Sequence, residues 1–486
     1  REKDKSKTHF VSGGVAYNLT DNQTLAFNAK YSQGNGTTSN GITKEQIEEN
    51  RRQAGNFITD YKETTQDYSL KYDYKISENW EINAKGYYQV IDSNNDSAGI
   101  IQISPDSEFG NYGGKYSGTM VGDFKETKLG ANLKEKFSYD SGSVISGYEF
   151  LSNKLDRNSI VDFPYIFTGP GRPPMQYNLV ANNNLGKDTH SIFALLDQKV
   201  IGDLSFNAGA RQEWAKFNID RDSNITGSHQ AKAADSKSTH DSNQSYSAGL
   251  VYDFNPTNKI YVAYERGFVS PSPTQLVDKE NNQYVLNNLK SQTGDNYEIG
   301  YKGYVLNSFF TLTSFYMQNN NEIVFTDFDM GHTKWHYKNI DRTRRAGAEA
   351  FAEQNVWRLT FNESATYLNT RVLRGEYAGQ QVATVPDFKA IVNTKYEVID
   401  KLNLGARFNY TGKYLENNVA AGQQETFAPS TFTTDLTMDY SPFNNLYLMT
   451  GVNNLFNEKY NISQDSFGNY VVAPERNYYV GFRYEF

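Results

Sequence analysis

The stretch SIFALLDQKVIGDLSFNAGARQEW, residues 191–214, decides the fold class because it consists of two extended segments on either side of a short turn, IGD. One face of the second segment is apolar and is formed by Leu204, Phe206, Ala208, Ala210 and Trp214. The intervening face is polar and is formed by Ser205, Asn207, Arg211 and Glu213. Strict alternation is typical of a β-strand, so the stretch predicts an antiparallel hairpin with one apolar face.

The same alternation recurs along the chain, with an apolar face that is rich in tyrosine and phenylalanine. It is clearest in residues 68–76, 80–90, 246–254, 402–410 and 478–486. The runs reach about 9–13 residues, which is the length that a tilted strand needs to cross a membrane and is longer than the usual strand. A soluble β-sandwich also alternates, but its apolar faces meet a second sheet. Strand length therefore favours a membrane-spanning sheet.

Short and long connections alternate along the chain. Tight turns lie at 20–23, 77–79, 139–143, 201–203 and 255–258. Long polar stretches lie between them, at 34–63, 93–123, 156–187, 219–242 and 269–292. Outer-membrane barrels have tight periplasmic turns and long external loops, whereas loops beyond about 12–15 residues are uncommon in soluble domains. The sequence therefore predicts an all-β fold, a transmembrane antiparallel β-barrel.

Composition agrees with a barrel and excludes several functions. Hydrophobic residues make up only 38% of the 486 residues, yet 36 Tyr and 30 Phe help to bring the aromatic fraction to 14%. No run approaches the roughly 20 apolar residues of a membrane helix, and aromatic girdles are typical of barrels. The net charge of −8 argues against nucleic acid as a partner, and the absence of cysteine excludes disulfides and thiolate metal sites.

The strand count and one misplaced charge are the weak points of this interpretation. The alternating runs give about 19 strands, whereas bacterial single-chain barrels have an even number, so at least one closing strand is expected upstream. Glu363 falls on the lipid side of 357–367, where a charge at the bilayer midplane costs about 1–4 kcal/mol. A bulge, or a position near the interface, would remove this conflict.

Several motifs resemble, in order, those of the TonB-dependent outer-membrane receptors. Residues 191–214 end in that family's Gly-x-Arg-x-acidic element, and residues 255–276 resemble its turn, strand and RGF segment. Three further similarities are NNLKSQTGDNYEIGYKG (287–303), NIDRTRRAGAEAFAE (339–353) and VNNLFNEKYN (452–461) with APERNYYVGFRYEF (473–486), the C-terminal signature. The resemblance extends over nearly the whole chain.

This resemblance implies a barrel of about 22 strands that encloses a plug domain. On that template residues 1–486 are the β-barrel domain, and the N-terminal plug, the TonB box and about the first three strands lie outside them. It implies a receptor in the bacterial outer membrane, not an enzyme, which binds a ferric siderophore and imports it with energy from TonB–ExbB–ExbD. Haem and cobalamin are the alternative ligands within the family.

Three other classes of protein are alternatives to the receptor. A passive porin-type channel would need a complete barrel with an inward-folded constriction loop, and an outer-membrane hydrolase would need a nucleophile beside a base. A soluble β-sandwich or propeller is a further alternative. For the receptor we expect a monomer without a cofactor, in contact with its iron–siderophore ligand, outer-membrane lipid and lipopolysaccharide.

The first candidate ligand site is the external loop FPYIFTGPGRPPMQY, residues 163–177. It carries aromatic residues and one cation, and the candidates within it are Tyr165, Phe167, Arg172 and Tyr177. Aromatic rings with an arginine suit an anionic ferric chelate through stacking and charge-assisted hydrogen bonds. The alternative is a loop that packs on itself.

Two other loops hold candidates. Arg51 follows a possible short helix, TKEQIEENRRQ, and is either a ligand contact or part of a solvated face. In 326–339, His332, Trp335 and His336 are candidate ligand contacts. The two histidines have the spacing of a metal pair on a helix, but Gly331 argues against a helix, so no metal site is predicted. Haem receptors of this family usually carry a histidine in the stretch corresponding to 268–289, and here that stretch contains none.

Overall fold

The computed structural model describes residues 4–102, 115–167, 173–228, 230–280, 283–328, 335–375, 377–416, 425–464 and 468–485. Almost all regular structure is extended, as the alternation predicts. The single α-helix of the described residues is α1 (Lys44–Asn50). No helix in these ranges is long and apolar enough to cross a membrane.

The strands of the described ranges are numbered in chain order. The first part of the chain forms β1 (Lys5–Thr20), β2 (Gln23–Ser39), β3 (Phe57–Lys75), β4 (Trp80–Gln102), β5 (Lys115–Tyr139), β6 (Gly142–Phe167), β7 (Met175–Ile201), β8 (Leu204–Gly227), β9 (Ala231–Asn255), β10 (Asn258–Val269), β11 (Val277–Glu280) and β12 (Gln283–Leu286). The second part forms β13 (Gln292–Val305), β14 (Ser308–Phe328), β15 (Trp335–Val356), β16 (Leu359–Arg374), β17 (Phe388–Ile399), β18 (Leu402–Thr411), β19 (Tyr414–Leu415), β20 (Phe427–Ala428), β21 (Thr431–Phe443), β22 (Leu446–Asn453), β23 (Asn461–Gln464), β24 (Tyr470–Val472) and β25 (Asn477–Tyr484).

Nineteen of these strands form one continuous antiparallel wall in which each strand pairs with the next wall strand along the chain. The hairpin of β11 and β12 joins the same sheet and brings it to 21 strands, while β19–β20 and β23–β24 are separate two-stranded sheets. The predicted all-β antiparallel fold and the strand count are confirmed. Among the described residues, the pairing partner of β1 is β2 and that of β25 is β22.

The connection between β2 and β3 contacts the connection between β22 and β25, which shows that the wall curves round on itself. Ile42, in the connection after β2, exchanges two backbone hydrogen bonds of 3.0 and 2.8 Å with Tyr470, in the connection after β22. Ile42 is fully buried and Tyr470 is nearly so. Strands at opposite ends of the sheet order are therefore neighbours in space, as in a barrel.

The apolar face of each strand points away from the enclosed lumen and is exposed. On β9 the exposed row consists of Tyr246, Leu250, Tyr252 and Phe254, and Leu250 is 42% accessible. A soluble protein rarely leaves so large a contiguous apolar surface in water. Hydrocarbon is the solvent that such a face requires, and the predicted lipid-facing set is confirmed on β9 and in the described part of β25, whereas on β8 only Ala210 and Trp214 of that set are exposed.

The apolar band has the height of a membrane. On β8 it begins at Leu204, beside the short turn, and ends at the exposed Trp214. This is close to the 9–11 residues that a tilted strand needs to span the hydrocarbon core. Above Trp214 the same face becomes polar, with Lys216, Asn218 and Asp220. The part of the wall outside the membrane therefore starts near Lys216, the next residue on the same face after Trp214.

The interface position explains Glu363, which falls on the lipid-facing side as the sequence predicts. It lies four residues after the start of β16 at Leu359, next to a short turn. Its carboxylate accepts a hydrogen bond of 3.1 Å from the side-chain amide of Gln354 on β15. The pairing of β15 and β16 is regular here, so a place near the interface, rather than a bulge, resolves the conflict.

Three of the predicted long loops are wrong, because the strands continue through most of each. In 93–123, β4 extends to Gln102 and β5 begins at Lys115. Residues 156–187 and 219–242 were expected as polar connections, yet β6, β7, β8 and β9 run through most of them. Alternation persists there with its polarity reversed: Asp220 and Asp222 face outward to water, while Phe217, Ile219 and Ile225 are buried on the inner face. A segment that is polar on its outer side and apolar on its inner side does not resemble a membrane strand in sequence.

The orientation of the wall gives a testable prediction at Leu250. Replacing it by arginine puts a charge in the lipid-facing band at the level of Phe206, between the midplane and the short turns, so we expect Leu250→Arg to destabilise the folded protein by about 1–2 kcal/mol. Asn207→Arg, on the adjacent β8 but on the lumen face, is the matched control and should be nearly neutral. Urea unfolding in lipid vesicles measures both, and equal destabilisation by the two variants would contradict the assignment of faces.

Candidate extracellular ligand site

The wall is much taller on one side than on the other. Strands β4 to β9 contain 23 to 27 residues each, whereas β17, β18, β21 and β22 contain 8 to 13. Since about 9–11 residues cross the membrane, roughly half of each long strand stands outside it. The outer mouth of the barrel is therefore a vestibule with a high wall on the β4–β9 side.

An apolar cluster lines the inner face of this high wall near its top. It contains Phe57, Ile101, Tyr116, Val161, Phe163, Ile166, Tyr177 and Ile225, all buried. The ring of Phe163 lies 5.6 Å from that of Tyr116 and 6.5 Å from that of Phe57. These side chains hold the tops of six strands together.

The candidate ligand contacts in residues 163–177 have different surroundings in the structure. Tyr177 is 5% accessible and belongs to the apolar cluster, so it packs on the wall as the alternative interpretation holds. Tyr165 is 47% accessible and pairs with Ser117, on the face opposite to Tyr116. The backbone of Phe167 ends β6, and Arg172 lies outside the described residues. Ligand contact by this loop stays a prediction.

The connection between β10 and β13, residues 270–291, folds inward, and we call it the inner loop. Its Leu276 and Val277 are buried against the inner face of the wall, and Val277 is only 1% accessible. Their partners on β7 to β9 are Leu185, Ala215, Phe217, Ile219 and Ala233. The reversed polarity of these strands is thus explained, because their inner face meets the inner loop and not water.

One carboxylate joins the two ends of the inner loop. Asp241, on β9, accepts hydrogen bonds from the hydroxyls of Ser270 (3.1 Å) and Ser291, which are the first and last residues of the loop. Farther along the loop, Arg221 donates to the carbonyl of Thr274 at 3.1 Å. The loop is therefore fixed at both ends and in between.

The segment that holds the candidate histidines forms the outer end of a hairpin. The backbones of Trp335 and His336 belong to β15 and pair with Phe328 and Asp327 of β14. His332 lies outside the described residues. Lys279 of the inner loop forms a bridge with Trp335, so this hairpin stands beside the inner loop at the vestibule. Their role in ligand contact stays a prediction.

A cavity of about 530 Å³ opens on the low side of the vestibule, and we call it the rim cavity. Four external connections form it, those that follow β2, β16, β18 and β22. Its cationic lining consists of Arg51, Lys389 and Lys459, and its aromatic lining of Tyr414, Tyr460 and Tyr470. Glu416 is the one acidic residue in its described lining. Three cations against one carboxylate give the rim cavity a positive charge.

Arg51 is held in the rim cavity by local structure that the sequence specifies. Helix α1 begins with a capping box, in which the Thr43 hydroxyl accepts from the backbone N–H of Gln46 and the Gln46 side chain accepts from that of Thr43. This confirms the predicted short helix. The Arg51 guanidinium, just after the helix, donates to the backbone carbonyl of Tyr460 and to Asn461 Oδ1. The next residue, Arg52, forms an ion pair of 2.6 Å with Glu475.

The rim cavity changes the acid–base properties of two of its residues. Burial lowers the pKa of the Arg51 guanidinium, and the nearby carboxylate of Glu475 opposes this effect. Arginine nevertheless stays charged in proteins. Burial, followed by the charge of Glu416, raises the pKa of the Tyr414 hydroxyl, so this tyrosine stays neutral and able to donate a hydrogen bond. The rim cavity therefore offers cations, donors and aromatic faces, a combination that suits an anionic ligand with rings.

Comparison with known proteins decides the family. Residues 12–455 match the family described as TonB dependent receptor-like, beta-barrel. This chain belongs to the TonB-dependent receptor family. The expected family and location in the bacterial outer membrane are confirmed, and the relatives named below are transport receptors and not enzymes.

Individual relatives of the receptor agree with this family. The vitamin B12 transporter BtuB of Vibrio vulnificus is 25% identical over 254 residues, which are 52% of this chain and 38% of the relative. The ferric-catecholate import receptor Fiu of E. coli superposes with a TM-score of 0.79 at 17% identity, over 100% of this chain and 75% of Fiu. The siderophore receptor PiuA of Acinetobacter baumannii gives 0.78 at 16% identity, over 99% and 75%. These structures share the fold of the receptor.

Most of the rim cavity was missed from the sequence. Of its charged and aromatic lining, only Arg51 was among the candidates. Lys389, Lys459, Tyr414 and Tyr460 lie far apart in the chain and in stretches without a dense aromatic or basic cluster. The usable signal was their position near the ends of alternating runs. It does not show which connections share one cavity.

Proposed function

We propose that the full-length receptor binds a ferric siderophore, or a similar anionic iron complex, at the cell surface and imports it. The observation that carries the proposal is the rim cavity, where Arg51, Lys389 and Lys459 lie with three tyrosines around about 530 Å³. Such a volume is typical of small-molecule sites. Ferric chelates of catechols or carboxylates are anionic and planar in part, so charge-assisted hydrogen bonds and aromatic contacts both apply.

Energy for import is proposed to come from the TonB–ExbB–ExbD complex through a plug domain and coupling segment encoded outside residues 1–486. The family supports this part of the proposal. The chain spans 38% of the length of the curated BtuB relative in their alignment and 75% of the Fiu structure, so a barrel domain within a longer receptor is consistent with both. The polar lumen face of the wall would surround the plug.

Cobalamin is the second candidate ligand, because the relative from Vibrio vulnificus is named as a vitamin B12 transporter. The charged lining of the rim cavity favours an anionic chelate over the much less charged cobalamin. Family membership favours either receptor function over a passive porin.

Uptake measurements separate these ligands. A deletion strain that carries the full-length receptor on a plasmid is expected to recover uptake of a radiolabelled ferric siderophore and to lose it again when TonB is absent. Haem and cobalamin uptake are measured in parallel in the same strain. Recovery of only cobalamin or only haem uptake would replace the proposed ligand, and uptake that persists without TonB would contradict the energised mechanism.

A further inference from the structure

The acidic residue of the rim cavity, Glu416, is not neutralised by the cations that line the cavity with it. Glu416 is partly buried, yet neither it nor Lys389 or Lys459 forms an ion pair in the part of the chain that the structure describes. The connection continues in sequence through 417–424, and this stretch contains no lysine, arginine or histidine. A carboxylate that is partly removed from water needs a partner. Its charge is therefore available to a group from outside the chain.

The small hairpin of β19 and β20 holds Glu416 in place at the rim cavity. Leu415 is fully buried, and its carbonyl accepts a hydrogen bond of 2.7 Å from the backbone N–H of Thr384. The backbone N–H of Glu416 donates to the carbonyl of Thr426 at 2.9 Å. Because side chains alternate along an extended segment, Tyr414 and Glu416 lie on the same side and both line the cavity. Burial, followed by the charge of Glu416, raises the pKa of the Tyr414 hydroxyl, so the two groups lie close together.

The nearest basic residue in the sequence, Lys413, lies on the other side of this hairpin. Its Nζ lies 5.7 Å from the centroid of the Phe427 ring. Phe427 pairs with the buried Leu415, and neither Lys413 nor Phe427 is in the described lining of the rim cavity. The hairpin therefore keeps its own cation away from Glu416.

The cations of the rim cavity come from other elements. The Arg51 guanidinium donates to the backbone carbonyl of Tyr460, and Lys459 directly precedes Tyr460 in the connection after β22. Lys389 belongs to β17. Positive and negative groups thus line one cavity from different elements, without pairing with one another in the described structure. A ligand with two separate, opposite charges complements such an arrangement.

We infer that the ferric chelate taken by the rim cavity carries a protonated primary amine, which is bound by the carboxylate of Glu416 and the ring of Tyr414. This inference rests on the proposed function and narrows its ligand to chelates with an anionic iron centre and a separate ammonium group. A carboxylate binds an ammonium group through charge-assisted hydrogen bonds, and an aromatic face attracts it as well. A chelate without the amine would leave Glu416 unpaired beside an anion, and such repulsion contributes to specificity.

Two probes that differ in one group test the inference. One is a ferric tris-catecholate that carries a single primary amine, and the other is the same chelate with this amine acetylated. Binding of both, labelled with radioactive iron, is measured on cells that carry the full-length receptor. The acetylated chelate is the more anionic, so the positive charge of the cavity alone predicts that it binds more tightly. We expect the opposite order, with the amine-bearing chelate bound about tenfold or more tightly.

Glu416→Gln is expected to abolish this preference. The variant should bind the acetylated chelate at least as well as the wild type does, which shows that it is folded, and should bind the amine-bearing chelate no more tightly than the acetylated one. Glu425→Gln is the matched control, because Glu425 lies in the same connection, is exposed and is not in the described lining of the cavity. It should keep the preference of the wild type.

The outcomes separate this inference from the proposed function. Binding of neither probe by the wild type would contradict the proposed function and the inference with it. Three results would overturn the inference alone: equal or tighter binding of the acetylated chelate by the wild type, a preference that persists in Glu416→Gln, or an equal loss of both probes in that variant, which would show that Glu416 has a structural role.

Discussion

Replacement of Lys389 and Lys459 by glutamine is expected to weaken binding of an anionic ferric chelate to the receptor by about 100-fold or more. Both lysines line the rim cavity together with Arg51, and Glu416 is the one carboxylate in its described lining. A hydrogen bond to a charged group contributes about 1.5–3 kcal/mol, and each 1.4 kcal/mol is a factor of ten in affinity. The loss of two such contacts therefore gives at least about two orders of magnitude.

The ligand's own charge provides the internal control for this prediction. A strongly anionic ferric tris-catecholate should lose affinity for the variant, whereas an uncharged ferric tris-hydroxamate should be affected little. Lys62→Gln/Lys125→Gln makes the same change in net charge at exposed, outward-facing positions of β3 and β5 and should bind like the wild type. Equal losses in the two double variants would mean that long-range charge, and not the rim cavity, governs binding. Surface binding of radiolabelled chelates to whole cells measures all of these affinities.

The membrane part of the fold could be predicted from the sequence, because lipid on one face of a strand and a polar lumen on the other require apolar and polar residues to alternate. From Leu204 to Trp214 the outer face meets lipid and the inner face meets a polar lumen, so alternation appears with its aromatic side outward. The number of wall strands follows from counting such runs. Above the apolar band, each face of a strand meets either water or locally packed side chains. A polar loop and a strand that continues outside the membrane therefore look alike in sequence.

The inner face of the high wall shows where prediction ends. Phe217 and Ile219 are buried because Leu276 and Val277, more than fifty residues later, fold back on them. Neither partner shows this from its own sequence context, since alternation in a polar segment does not show which residues pack against its apolar side. The rim cavity is similar, because four connections form it and each supplies only one or a few lining side chains.

The inner loop leads to the second large effect, which is expected for Val277→Asp. Val277 is 1% accessible and packs with Phe217 and Leu185. A carboxylate placed there has no cationic partner in that cluster, and burial of an unpaired charge costs several kcal/mol. The loop is one external connection of a wall that is otherwise held by its backbone ladder, so the cheapest response is local release of the loop while the barrel stays folded.

Hydrogen exchange measures that release directly. In Val277→Asp, amide protection of residues 270–280 should fall by about 100-fold or more, in line with a loss of at least about 3 kcal/mol of local stability. Protection of β8 and β9 below the level of Trp214 should stay unchanged. Leu286→Asp is the matched control, because Leu286 lies in the same hairpin but is exposed, and its protection should match the wild type. If Val277→Asp also matched the wild type, the inner loop would not lie on the wall as described. If β9 lost protection together with the loop, the two would unfold as one unit, and Asp241, which joins both loop ends to β9, would be the residue that couples them.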